Sequence, residues 1–181
     1  PDPPSESRIV RDQAAEYATI GNGYFQQADY EMALQFFELA LSENTVVDHL
    51  PGIVRSRNSI AKVYLAVGRI DAAETELNQA LEIVQGIDAP QELAKTHTLL
   101  GELAMRKGDN RDGLAELNAA REILLEAELE VDSVLLHNLG TVQARLGDYT
   151  EAERFLQQAL EKNRADNSWA KTAGNYYMLS S

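Results

Sequence analysis

Three histidines are the side chains in this sequence that come closest to a metal-binding or acid–base set. They are His49, His97 and His137, and no two of them have the i, i+4 spacing that places metal ligands on one helix face. His97 and His137 occupy neighbouring positions in adjacent sequence repeats, so the two imidazoles could approach each other. We interpret one as a packed histidine and the other as a groove histidine, and we predict no metal site.

Motifs for nucleotides and nucleophilic catalysis are missing. Gly21-x-Gly23 lacks the third glycine of a dinucleotide loop, and no Gly-Lys-Ser, Gly-Lys-Thr or cysteine occurs. Acidic pairs such as Glu128 and Glu130 are predicted on helices, without an apolar pocket that would raise a carboxyl pKa. We therefore predict a protein that is not an enzyme and has no catalytic residue, cofactor or metal.

Composition and charge exclude further classes. The 181 residues are 44% hydrophobic and carry a net charge of −13, from 16 basic and 29 acidic side chains. Such a charge disfavours binding to nucleic acid or to an anionic membrane. No apolar run approaches the ~18 residues of a membrane span. The absence of cysteine fits the cytoplasm, which is the predicted location, and does not exclude the periplasm.

The composition also predicts the fold class. The chain has few Pro and Gly and many Ala, Leu, Glu and Gln, which predicts an all-α fold.

A pattern that recurs at offsets of 40, 40 and 39 residues organises the chain. It begins with a large apolar residue beside a small one: Ile20-Gly21, Ile60-Ala61, Leu100-Gly101 and Leu139-Gly140. A turn follows: Ala28-Asp29, Gly68-Arg69, Gly108-Asp109 and Gly147-Asp148. Next come small residues (Ala33, Ala73, Gly113, Ala152, then Ala40, Ala80, Ala120, Ala159) that flank large ones (Phe37, Leu77, Leu117, Leu156).

This pattern predicts stacked helix hairpins. The small residues let two helices approach closely, and glycine at the turn tolerates the left-handed conformation that ends a helix. The large residue of the second helix fills the space between hairpins. Because one hairpin cannot bury both of its apolar faces, the hairpins should stack into a solenoid.

The repeats resemble the tetratricopeptide repeat family. The first repeat matches best, with Tyr17, Ile20, Gly21, Tyr24, Ala33 and Phe37 at the family's positions. The resemblance implies a right-handed α-α superhelix with repeats at about 14–47, 54–87, 94–127 and 133–165. The repeat length of 39–40 residues is similar to that of kinesin light chain and related adaptors and bacterial regulators.

Three departures from the family pattern lead to further expectations. About six extra residues per repeat should lie between hairpins, as in 44–52 and 85–90. Pro51 and Pro90 should begin the following helices, where a missing N–H costs little. Gly113 replaces an alanine, so the third hairpin should pack less tightly.

Both ends of the chain yield expectations. Residues 1–6 are predicted to be disordered, with helix formation from Ser5 or Ser7 in a single domain of residues 7–181. Tyr176 and Leu179 lie 40 residues after their counterparts in the fourth repeat, so 167–181 should be the first helix of a fifth repeat or a capping helix. The chain is then a fragment or a processed form of a longer protein.

The resemblance implies that the first helix of each repeat lines a concave, peptide-binding face. The register assigns to that face Ala15, Ala18, Asn22, Phe25, Gln26, Arg55, Asn58, Lys62, Leu65, Ala66, Lys95, Thr98, Glu102, Met105, Arg106, Val134, His137, Thr141, Ala144 and Arg145. These twenty positions hold five basic side chains and one acidic side chain, against a net charge of −13 for the chain. The sequence therefore predicts a basic groove on an acidic scaffold.

The predicted partner-binding residues are Asn22, Phe25, Arg55, Asn58, Lys62, Lys95, Thr98, Glu102, Arg106, His137, Asn138, Thr141 and Arg145. By resemblance, Asn22, Asn58 and Asn138 would hold a peptide backbone. The clamp that some family members use for a C-terminal carboxylate is incomplete here, so binding of chaperone C-termini is not predicted.

We therefore predict a protein–protein interaction scaffold whose basic-lined groove takes an acidic peptide or partner segment, and no nucleic acid or membrane. One alternative is the sensory, regulatory or oligomerisation domain of a larger signalling protein. Another is self-association through the C-terminal helix, Trp169–Leu179.

Overall fold

A computed structural model describes the backbone of residues 5–179 and the side chains of residues 5–167. Every regular element in that range is an α-helix, which confirms the predicted all-α class. The helices are α1 (Glu6–Gln26), α2 (Tyr30–Val46), α3 (Leu50–Ala66), α4 (Ile70–Val84), α5 (Pro90–Arg106), α6 (Asn110–Glu126), α7 (Ser133–Leu146) and α8 (Tyr149–Leu179).

Side chains cap some of the helices: Ser5, Asp29 and Asp132 cap α1, α2 and α7, whereas α3 to α6 begin without a side-chain cap. Ser5 precedes α1, and its hydroxyl accepts a hydrogen bond from the Arg8 amide at 3.3 Å. Pro51 and Pro90 lie in the first turns of α3 and α5, as predicted. Of the predicted disordered segment 1–6, residues 1–4 lie outside the described residues. Glu6 is already helical, because Ser5 caps the helix before it.

The turn inside each hairpin has one residue in the left-handed region. Gly68, Gly108 and Gly147 take φ values of 80°, 87° and 88° there. In the first hairpin the same position holds Ala28, with φ 60°. A left-handed conformation brings the Cβ of a non-glycine residue close to the following carbonyl oxygen, so Ala28 is strained where the three glycines are not.

We expect Ala28→Gly to stabilise the protein. Relief of the strain should outweigh the extra backbone freedom of glycine in the unfolded chain, for a net gain of about 0.5–1 kcal/mol. Urea unfolding followed by circular dichroism measures this gain. Gln27→Gly, one residue earlier at φ −85°, is the control and should lower stability. Equal effects of the two variants would contradict the explanation.

Within each hairpin, a large side chain of the second helix packs against a small residue of the first. A Cβ added at Gly21 would lie 2.7 Å from the ring of Phe37, and one added at Gly140 would lie 2.6 Å from Leu156. Ala61 and Leu77, at the same positions of the second hairpin, are fully buried. The large residue also reaches the next hairpin, since Phe37 shares a core cluster with Ile60.

The hairpins stack in chain order. The second helix of each contacts the first helix of the next, and α1, α3, α5 and α7 contact one another in sequence along one side. The result is an α-α superhelix. Its first helices form a continuous surface on which most of the predicted groove residues lie. Leu65 and Met105, also assigned to that face, are instead buried in core clusters, because they pack between hairpins.

Two expectations about the repeats need correction. The extra residues lie between hairpins at 85–89, as predicted, but not over the whole of 44–52: Asn44 lies inside α2 and Gly52 inside α3, and only residues 47–49 separate these helices. The third hairpin is not loosely packed at Gly113. A Cβ there would lie 2.9 Å from Met105 Cγ, so the Met105 side chain occupies the space that an alanine methyl group would need.

The predicted break before residue 167 is also missing, since α8 runs continuously to Leu179. Residues 162–168 contain no proline or glycine that would end the helix. The side chains of Trp169, Tyr176 and Leu179, on which the predicted fifth repeat or cap depends, lie outside the described side chains.

Candidate binding groove

A cavity of about 930 Å³ opens on the concave side, between α3 and α5 on one wall and the α6–α7 loop on the other. Six of the predicted partner-binding residues line it: Asn22, Arg55, Asn58, Lys62, Lys95 and Thr98. The other lining residues are Ser59, Gln91, Glu92, Ala94, Leu124, Glu128, Leu129, Glu130, Asp132 and Lys162. The cavity is of a size that proteins use to hold small ligands or a few residues of a peptide.

The α3–α5 wall carries three cations. Partial burial lowers the pKa of Lys62, and the neighbouring positive charge of Lys95 lowers it further, partly offset by Glu102. The Lys62 ammonium lies 4.2 Å from the centre of the Phe25 ring, a cation–π contact. The third cation, Arg55, forms an ion pair with Glu92 at 3.2 Å. This wall thus holds positive charges that repel one another.

Asn58 is part of the scaffold as well as of the cavity. It is buried, and the Thr96 hydroxyl lies 3.0 Å from its side-chain carbonyl oxygen. Its amide nitrogen lies 3.5 Å from the backbone carbonyl oxygen of Glu92. These contacts tie α3 to α5, so the amide predicted to hold a peptide backbone is already bonded within the protein. Asn22, by contrast, is exposed at the cavity.

The opposite lip is acidic, which corrects the prediction of a basic-lined groove. Glu128, Glu130 and Asp132 line it, and with Glu92 they balance the four basic lining residues. They belong to the turn and loop after α6, not to a solvated helix face as predicted for Glu128 and Glu130. Lys162 Nζ lies 3.3 Å from Glu130 Oε1, which ties α8 to this lip.

The remaining predicted residues lie outside this cavity, and several of them contact other residues of the same chain. Glu102 pairs with Arg106 at 3.6 Å, one turn apart on α5. Arg145 donates to the carbonyl oxygen of Met105 at 3.2 Å, across the α5–α7 contact. Thr141 donates to the carbonyl oxygen of His137 at 3.0 Å. Asn138 is partly buried on α7, next to the exposed His137, and Phe25 lies beneath Lys62.

The acidic lip does not follow from the first helix of each repeat, on which the predicted groove was based. Residues 128–132 follow a second helix, and their place on the concave side depends on the curvature of the stack. Their clustered negative charge was visible in the sequence, but nothing in the repeat pattern placed it opposite Lys62 and Lys95.

Two of the three histidines contact a side chain of a neighbouring helix or turn. His97 Nδ1 lies 2.6 Å from Glu116 Oε2, within the α5–α6 hairpin. His49 Nδ1 lies 3.3 Å from Asn44 Oδ1, and burial lowers the His49 pKa, as do Arg11 and Arg55. In residues 5–167 no three His, Asp or Glu side chains are placed to share a metal ion. None of the described helices has an apolar stretch long enough to cross a membrane.

The fold and the groove define a helical-repeat scaffold for protein interactions. The family model described as tetratricopeptide repeat matches residues 13–86 and 92–165, so the chain belongs to the tetratricopeptide repeat family. Each of the two matches covers two of the hairpins.

Solved structures share this fold. A Rap protein complexed with Competence and Sporulation Factor is 16% identical, with a TM-score of 0.74 over 88% of this chain and 44% of that one. BtubC from P. vanneervenii is 24% identical, with a TM-score of 0.63 over 85% and 64%. Glutamyl-tRNA reductase of Archaeoglobus fulgidus, a curated relative, is 25% identical over 166 residues, 86% of this chain and 38% of that protein. The chain thus spans less than two thirds of each.

Proposed function

We propose that the α3–α5 wall of the groove binds an acidic segment of a partner protein. The observation that carries the proposal is the pair Lys62 and Lys95, on adjacent helices. Neither forms an ion pair with another described residue, and the Lys62 pKa is lowered by burial and by Lys95. A carboxylate placed between two such ammonium groups would relieve their repulsion, whereas solvent does so only partly.

The acidic lip restricts where the acidic residues of the proposed ligand can lie. Glu128 and Asp132 repel negative charge, so the acidic residues of the segment should lie along α3 and α5. Leu124 and Leu129 also line the cavity and can contact apolar side chains of the same segment. A structural neighbour, the Rap conjugation gene regulator of plasmid pLS20, was solved with the Phr* peptide, at 16% identity and a TM-score of 0.73. Peptide binding is therefore compatible with this fold.

Charge reversal tests the proposal. The probe is a short fluorescent peptide of alternating Glu and Leu, and its affinity is measured by anisotropy at low salt. We expect the double variant Lys62→Glu, Lys95→Glu to bind about 30-fold more weakly or worse, since like charges then face the ligand. Added salt should weaken binding to the unmodified protein.

The matched control is Arg8→Glu, Arg111→Glu, which changes the net charge equally at two exposed sites outside the cavity. It should keep most of the affinity. An equal loss in both double variants would show attraction by overall charge and contradict the groove. Unchanged affinity in the Lys62, Lys95 variant would contradict it directly. Circular dichroism of both variants shows whether they remain folded.

A further inference from the structure

The groove cavity carries equal numbers of positive and negative side chains. Its four basic lining residues are Arg55, Lys62, Lys95 and Lys162, and its four acidic ones are Glu92, Glu128, Glu130 and Asp132. Half of these charges are already neutralised, because Arg55 pairs with Glu92 and Lys162 pairs with Glu130. Two cations and two anions are left, and none of the four forms an ion pair with another described residue.

The unpaired charges lie on opposite sides of the cavity. Lys62 and Lys95 belong to α3 and α5, whereas Glu128 and Asp132 belong to the turn and loop after α6. The acidic lip is fixed in place, since Asp132 Oδ1 accepts a hydrogen bond from the Leu135 amide at 2.8 Å. A ligand that fills the cavity therefore meets positive charge on one side and negative charge on the other.

An extended peptide segment can satisfy both sides at once. Its successive side chains point to opposite faces, and side chains two residues apart lie on the same face, about 6.5–7 Å from each other. The axes of packed helices are about 8–10 Å apart, so two flexible lysines on neighbouring helices can each reach one of two such side chains. Helices α3 and α5 are in contact, and Lys95 is close enough to lower the pKa of Lys62. The residue between the two acidic ones then points at the lip.

The rest of the cavity suits an extended backbone. Asn22 and Gln91 are exposed in its lining, and each amide offers a donor and an acceptor to the C=O and N–H groups of an extended chain. A helical segment, by contrast, uses these backbone groups internally. Leu124 and Leu129 also line the cavity and can contact apolar side chains that flank the charged residues.

We propose that the partner segment bound in the groove is extended and carries two acidic residues separated by one basic residue. The acidic residues contact Lys62 and Lys95, and the basic residue contacts Glu128 and Asp132. This charge order rests on the proposed binding of acidic residues at the α3–α5 wall and adds the basic residue between them. A purely acidic segment satisfies that wall but is repelled by the lip.

Three fluorescent peptides of one length test the charge order on the full 181-residue chain, by anisotropy at low salt. Their central sequences are Leu-Glu-Lys-Glu-Leu, Leu-Glu-Glu-Lys-Leu and Leu-Glu-Leu-Glu-Leu. The first two have the same composition and net charge, but only the first places both carboxylates on one face of an extended chain and the lysine on the other. We expect the first to bind about 10-fold more tightly than the second. Equal affinities of these two peptides overturn the proposal.

Neutralisation of the lip gives opposite effects on two of the peptides. Glu128→Gln with Asp132→Asn removes both unpaired lip charges, and asparagine retains an oxygen that accepts from the Leu135 amide. This variant should bind Leu-Glu-Lys-Glu-Leu about 10-fold more weakly, because the peptide lysine loses both partners. It should bind Leu-Glu-Leu-Glu-Leu more tightly, because a repulsion is removed. Shifts of the same sign for both peptides overturn the proposal.

Two further variants complete the test. Glu122→Gln with Asp112→Asn is the matched control, since it removes the same charges at exposed positions of α6 outside the cavity. It should leave the three affinities nearly unchanged, and an effect equal to that of the lip variant overturns the proposal.

The double variant Lys62→Glu, Lys95→Glu separates a failure of the charge order from a failure of the proposed function. If it weakens all three peptides and the lip variant does not discriminate among them, the wall binds acidic residues without the charge order. If it weakens none, the proposed function fails and the charge order fails with it. Circular dichroism shows that each variant is folded.

Discussion

Leu117→Ala is expected to lower the free energy of unfolding by about 3 kcal/mol, whereas Leu156→Ala should lower it by about 1 kcal/mol. Both leucines occupy the same repeat position and pack on a glycine of their own hairpin, Gly101 or Gly140. Leu117 is fully buried because the next hairpin covers it, and its truncation leaves a closed cavity. Leu156 is partly open, so solvent can fill the space left by its truncation.

Urea unfolding followed by circular dichroism measures the two values. Leu77→Ala is a further control, because Leu77 is also fully buried and should behave like Leu117. Equal losses for Leu117→Ala and Leu156→Ala would contradict the difference in burial.

Gly21→Ala and Gly23→Ala are expected to change stability in opposite directions, although the residues lie two apart on one helix. A Cβ at Gly21 would lie 2.7 Å from the Phe37 ring, which is buried and cannot retreat easily. Overpacking should cost more than the helix propensity that alanine gains, for a net loss of about 1–2 kcal/mol.

A Cβ at Gly23 would meet no atom within 4 Å, so Gly23→Ala gains helix propensity without a clash. We expect it to stabilise the protein by up to about 1 kcal/mol. Thermal unfolding followed by circular dichroism gives the sign of both effects. A stabilising Gly21→Ala would show that α1 and α2 can separate without cost and would contradict close packing at this glycine.

Much of the fold could be predicted because its determinants are local and repeated. The small residue at Gly21, the left-handed turn at Gly68 and the proline at Pro90 each act within a few residues of chain. Four copies in one register then fix which side of each first helix faces the groove. The predicted loose packing of the third hairpin was wrong, because the Met105 side chain fills the space beside Gly113 that an alanine methyl group would occupy.

The candidate site was predicted only in part, because some of its contacts join residues that lie far apart in the sequence. Lys62 and Lys95 were found because the repeat register assigns both to the concave side of a first helix. The engagement of Asn58 by Thr96 and Glu92 was not found, since it depends on how closely α3 and α5 approach. A repeat pattern states which residues face a neighbouring helix but not which of them hydrogen-bond there.

The sequence by itself determined the hairpins, their order and the family, because helix periodicity and the 39–40-residue register are properties of the chain alone. Only the tertiary structure decided that the 128–132 loop faces Lys62 and Lys95, and that Leu156 lies open at the end of the stack. The first depends on the curvature that several hairpins accumulate, and the second on whether another helix packs against the outer face of α8. Both are relations between distant segments, set by packing and not by local pattern.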